Sequence, residues 1–93
     1  MAIVEQARAA GAIPILLTYA SRSDNYFFAS MMVRKAAAAT GAPLVDLEPV
    51  FKPLCPKKNC RDLYYPSQHP TAKGHRLIAQ ALLGRLADVV RDP

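Results

Sequence analysis

The chain has 93 residues, 52% of apolar types and 20% charged, so it is too rich in core-forming side chains for a disordered segment. It is also shorter than a typical domain of roughly 100–150 residues, and its formal charge of +5 supports solubility and mild attraction to anions. Two cysteines exclude a disulfide-dense miniprotein, and no apolar run reaches the roughly 18 residues of a membrane span.

The N-terminal MAIVEQARAAGA carries Glu5, Gln6 and Arg8 inside its apolar pattern, unlike a secretory signal, so an exported form would need a signal outside this chain. Ile3, Val4, Ala7 and Ala10 stand at helical spacing, which predicts a helix over 2–10 with Gly11 as its stop. AIPILLT follows, a short apolar run bounded by Gly11 and the polar YASRSDN. Its length and Pro14 favour a strand, buried on both faces, over a buried helical turn. Asp24 or Asn25 can cap a helix from Tyr26 to Thr40, strengthened by four alanines and ended by Gly41. APLVDL supplies a second short apolar segment, read as a strand, ending in Asp46. This order is the rhythm of an α/β fold with a short parallel sheet flanked by helices.

Residues 49–70 change character, with prolines at 49, 53, 56, 66 and 70 and both cysteines in the middle. They predict a long surface loop, with a helical turn around Glu48 to Phe51. Thr71 then caps a last helix whose apolar face comprises Leu77, Ile78, Ala81, Leu82, Leu86 and Val89 or Val90. Two strands and three helices close poorly, because a parallel sheet needs cover on both faces and neighbours along its edges. Either the chain pairs with a second chain or it is the end of a longer domain, and the second is the expectation here.

His69 is the first candidate for chemistry. It precedes Pro70, which favours an extended backbone, and lies just ahead of a capped helix, where an imidazole is accessible and well anchored. A surface or capping role is the plain alternative, and His75, inside the helix, suits packing or hydrogen bonding near the loop.

The stretch LVDLEPVF, then LYYPSQHPTAKGHRLIAQALLGRL, resembles the C-terminal part of the GDSL or SGNH hydrolase superfamily. Those enzymes end with a strand and an Asp, a variable loop, then Asp-x-x-His-Pro-x-x-x-Gly-His and a helix. His69-Pro70, Gly74-His75 and Ala79 fit that pattern. The resemblance spans nearly all of residues 1–93, read as a single segment, and implies the closing part of a three-layer, flavodoxin-like domain. It implies that His69 is the catalytic base, taking a proton from a serine hydroxyl and returning it to the leaving alcohol. Tyr65, Gln68 and His75 become candidates for shaping a substrate pocket for carboxylic esters, and no metal or organic cofactor is implied.

The chain also departs from the family. The orienting aspartate would stand three positions before His69, where this chain has Pro66, and Asp62 could replace it only if the loop folds back. The Gly-Asp-Ser block that carries the nucleophile is missing, as are the glycine and the Gly-x-Asn-Asp block that supply oxyanion contacts. Ser21, Ser23, Ser30 and Ser67 are the only serines, and none has the family's surroundings. The implied partner is therefore a missing N-terminal segment or a second chain carrying Gly-Asp-Ser. The competing reading is a non-catalytic remnant or interaction module that pairs with another chain.

Cys55 and Cys60 can form a disulfide, which would suit a periplasmic or secreted protein. C-x4-C-x8-H-x5-H through His69 and His75 also resembles a zinc site, but its centre is shorter than a zinc finger's and lacks the finger's core residues. Lys52, Lys57, Lys58 and Arg61 form a basic stretch best read as a solvated loop. It carries no recognisable nucleic-acid module, although it could favour an acidic or phosphate-bearing substrate.

Overall fold

A computed structural model describes residues 2–21, 23–55 and 60–91. Among them are four helices and two strands: α1 (Ala2–Ala9), β1 (Leu16–Leu17), α2 (Asp24–Thr40), β2 (Leu44–Val45), α3 (Glu48–Phe51) and α4 (Ala72–Arg91). The strands pair in parallel, Leu16 with Leu44 and Leu17 with Val45, and α2 is the crossover between them. The α/β rhythm is thus present as one βαβ unit with helices around it.

Side chains alternate across a strand, and this alternation places the helices on opposite faces. Leu16 shares a small cavity with Met32, Val33 and Ala36 of α2. Leu17, Val45 and Leu47 belong instead to the main core, with Phe51, Cys55, Leu63 and Tyr64 at its centre and Leu77, Ile78, Ala81 and Leu82 of α4 against it. The expected apolar face of α4 is therefore correct where it meets the sheet. Val89, near the helix end, is buried too, while the side chain of Val90 lies outside what is described.

Three local expectations are corrected. AIPILLT makes only a two-residue strand, half-buried rather than buried on both faces, and Ile13 is exposed. A two-stranded sheet leaves each strand an open edge, so the run lacks the neighbours that would extend and cover it. The cap of α2 is Ser23 rather than Asp24 or Asn25; its backbone is extended and Asp24 is already helical. In α1, Val4 is buried while Ile3 points to solvent, so the inward stripe is narrower than the apolar spacing suggests.

Other signals act as expected. Gly11 and Gly41 end α1 and α2 with left-handed φ angles of +83° and +70°. Thr71 caps α4: its Oγ1 accepts from the Gly74 amide at 3.2 Å and donates to the Asp62 carbonyl at 2.6 Å. Gly74 is needed for close approach, since a Cβ there would sit 2.5 Å from the Leu63 carbonyl oxygen. The same carbonyl accepts from the Thr71 amide at 2.9 Å, so α4 begins pressed against residue 63.

Candidate functional site

The chain beyond β1, Thr18 to Ser21, is held in place by long-range bonds. The Tyr19 amide donates to Ser30 Oγ at 2.9 Å, and the buried Tyr64 hydroxyl donates to the Ala20 carbonyl at 2.7 Å. Tyr64 also stacks on Phe51, with ring centroids 5.9 Å apart. Tyr64 in turn bridges Pro70, so the segment carrying His69 is brought up to the end of β1. Between them the Tyr65 amide donates to the His69 carbonyl at 2.9 Å and the Gln68 amide to the Tyr65 carbonyl at 2.8 Å, closing a tight turn.

These contacts enclose a cavity of about 230 Å³ whose walls include Leu17, Leu47, Tyr26 and Ile78, with Ser21, Gln68 and His69 as polar members. It lies at the carboxyl ends of both strands, since its wall runs on from Leu17 through Ser21 and includes Leu47, two residues past β2. Open parallel α/β sheets bind their ligands at that end.

His69 is exposed at this cavity, and among the described residues its imidazole has no hydrogen-bond or ion-pair partner. Asp62 does not fold back to it. Its carboxylate is exposed and pairs with Lys73 Nζ at 3.1 Å, because the cap contact to Thr71 directs residue 62 toward the first turn of α4. Pro66 is exposed in the turn and offers no acid. The orienting carboxylate of a hydrolase triad is thus not supplied by either residue.

The three pocket candidates separate. Gln68 lines the His69 cavity and also a neighbouring one of about 220 Å³. Tyr65 lines only the second of these two, with Arg61 and Pro66, and His75 is exposed on α4 and lines neither. Ser21 is a residue that sequence reasoning set aside, and the structure places it in the wall beside His69. Its buried hydroxyl donates to Gln68 Oε1 at 2.8 Å across 47 residues of sequence. No local pattern could have revealed that pairing.

Below the cavity a charged network ties the sheet to α2. Arg34 donates from Nε to Asp46 Oδ2 at 2.9 Å and from one terminal nitrogen to Asp46 Oδ1 at 3.0 Å and Glu48 Oε2 at 2.7 Å. Thr18 Oγ1 donates to Asp46 at 3.1 Å and accepts from the Leu47 amide at 2.8 Å. The hydrogen bonds from Arg34 hold the Asp46 carboxyl below the usual carboxylate range, against partial burial, which pushes the other way. Asp46 likewise raises the Arg34 guanidinium further, so both stay charged. Both carboxylates are therefore engaged in structure, which leaves the His69 side without them.

Cys55 and Cys60 form a disulfide. Bonded to each other, these sulfurs are not available as thiolate ligands for the zinc alternative, and among the described residues no cluster of three metal-ligating side chains is present. Of the basic stretch, Lys57 and Lys58 lie outside the described residues, while Lys52 is exposed and Arg61 lines the second cavity. No helix among the described residues is long and apolar enough to cross a membrane.

The chain matches no protein-family model, no curated protein and no solved structure.

Proposed function

We propose that the chain is the C-terminal portion of an SGNH-type serine hydrolase acting on carboxylic esters, with His69 as its general base. The observation that carries this reading is the position of His69 on a cavity at the carboxyl ends of two parallel strands, where the α/β architecture places ligands. The resemblance of His69-Pro70 and Gly74-His75 to the family pattern supports it from the sequence side. The strands would then be the closing ones of a three-layer, flavodoxin-like sheet. Gln68 would contact substrate in the His69 cavity and Tyr65 from its neighbour. The nucleophile and oxyanion donors come from a front segment or a second chain carrying Gly-Asp-Ser, and the Cys55–Cys60 bridge suits an oxidising compartment.

In that assembly His69 takes the serine proton as the oxygen attacks the ester carbonyl, then returns it to the leaving alcohol. An exposed imidazole whose nitrogens are unpartnered among the described residues is free to receive that hydroxyl. The test uses a chromogenic short-chain ester. The chain alone gives the background rate, and activity appears on adding a co-purifying chain or upstream segment that carries Gly-Asp-Ser. His69→Ala then abolishes it; a His69→Ala complex that keeps its rate refutes the reading.

A second reading is favoured by a different observation. In the β1–β2 ladder the amides of Leu16 and Thr18 point at β2, so by alternation the polar backbone of Leu17 faces the other edge. Phe28, Met31 and Met32 of α2 are exposed, and Met32 lines a small cavity with Leu16 of β1. An interaction module using this edge and face accounts for them without catalysis. It predicts that a partner binds His69→Ala as tightly as the unaltered chain and that the complex hydrolyses no ester.

A further inference from the structure

Among the described non-glycine residues, Gln68 alone has a left-handed backbone, with φ of +69°. A side chain with a Cβ disfavours that region, so the neighbouring structure must hold it there. Two bonds do so. The Gln68 amide donates to the Tyr65 carbonyl at 2.8 Å, and Gln68 Oε1 accepts from Ser21 Oγ at 2.8 Å.

The state of Ser21 decides its role. Ser21 is 4% exposed, and its hydroxyl has one proton, which the short bond commits to Gln68, while its oxygen accepts from the Ser23 amide at 3.2 Å. A hydroxyl so engaged is not directed at the imidazole as a nucleophile would be. It is instead anchored at the end of β1 and reaches the residue immediately before His69.

We propose that Ser21 and Gln68 form a positioning latch: the Ser21–Gln68 hydrogen bond holds the left-handed turn that aims His69 into the cavity. Ser21 is then a positioning residue for the histidine and not a catalytic one. The use made of His69 rests on the hydrolase reading; the latch does not, and its test measures no hydrolysis.

The experiment is proton NMR and amide exchange on the full chain, comparing Ser21→Ala, Gln68→Ala and the double variant. Tyr19 and Tyr26, whose ring centroids are 5.0 Å apart, line the same cavity as His69, so a reoriented imidazole changes its ring-proton shifts. Both single variants are expected to move the His69 ring signals while those of His75, exposed on α4, stay in place. The Tyr65 and Gln68 amides should exchange about fivefold faster, the worth of one ordinary hydrogen bond, with α4 amides unchanged. Adding Ser21→Ala to Gln68→Ala should change nothing further, because the partner is already gone. Unmoved His69 signals overturn the latch, as do additive effects or uniformly faster exchange through α4. If Ser21→Ala does not fold, Gln68→Ala, at a half-buried turn position, carries the same readouts. A chain that passes here but never yields ester hydrolysis keeps the latch and loses the hydrolase; the converse outcome loses only the latch.

Discussion

Replacing Gly74 by alanine tests how α4 is seated. The new methyl would lie 2.5 Å from the Leu63 carbonyl oxygen and 3.0 Å from Pro70 Cβ, and the first of these partners is backbone. Relief requires the first turn of α4 to move away from residue 63, which strains the 2.9 Å bond from the Thr71 amide to the same carbonyl. Overpacking of this kind costs about 1–3 kcal/mol, and weakening that bond adds about 0.5–1.5 kcal/mol. Alanine's better helix propensity returns about 1 kcal/mol, leaving a net loss of about 0.5–3.5 kcal/mol. Gly84, in the same helix, is the internal control, because nothing lies within 4 Å of a Cβ built there. Gly84→Ala should therefore gain about 0.5–1 kcal/mol, and the two variants should differ by about 1–4.5 kcal/mol with opposite signs. Urea unfolding followed by far-ultraviolet circular dichroism measures both. If Gly74→Ala is as stable as Gly84→Ala, the close approach of α4 to the Leu63 carbonyl is refuted.

Two further outcomes follow from the charged network and the disulfide. Asp46 has its folded pKa lowered by Arg34, so its stabilising contribution is complete above the unfolded value of about 3.9 and is lost as pH falls through the lower folded value. Asp46→Asn should cost about 1–2 kcal/mol near neutrality, modest because the pair is partly exposed, and the gap to the unaltered chain should close below about pH 4. Urea midpoints that stay parallel across that range would contradict this. Reducing Cys55–Cys60, which closes a short loop across a sequence separation of 5, should cost about 2 kcal/mol on the chain-entropy account. A thermal midpoint lowered by roughly 10 °C is the expected reading, and an unchanged one would place the loop outside the cooperative unit.

Helices were legible because their signals are local. Thr71 and Gly74 mark the start of α4 within four residues, and Gly41 stops α2 at the position its conformation requires. The strands were legible in place but not in extent, since a strand's length is settled by neighbours rather than by its own side chains. The AIPILLT run reaches only Leu16–Leu17 for that reason. His69 could be singled out from its setting before Pro70 and a capped helix, but its surroundings could not. Ser21 and Gln68 are 47 residues apart, Tyr64 and Ala20 are 44 apart, and Arg34 and Asp46 lie on different elements. Asp62 shows the same limit from the other side, because it is close to His69 in the chain yet committed to Lys73.

By itself, then, the sequence determined the order of helices and strands, the glycine stops of α1 and α2 and the Thr71 cap of α4, though not the cap of α2, and it singled out His69 as a candidate. Periodicity, glycine and capping residues act within a few positions and need no partner from elsewhere. Only the tertiary structure decided that His69 meets the carboxyl ends of the parallel strands, that Asp62 turns away from it, and that Ser21 reaches the residue before it. Those outcomes depend on which buried polar groups find each other once the chain has closed, and such pairings carry no trace in local spacing.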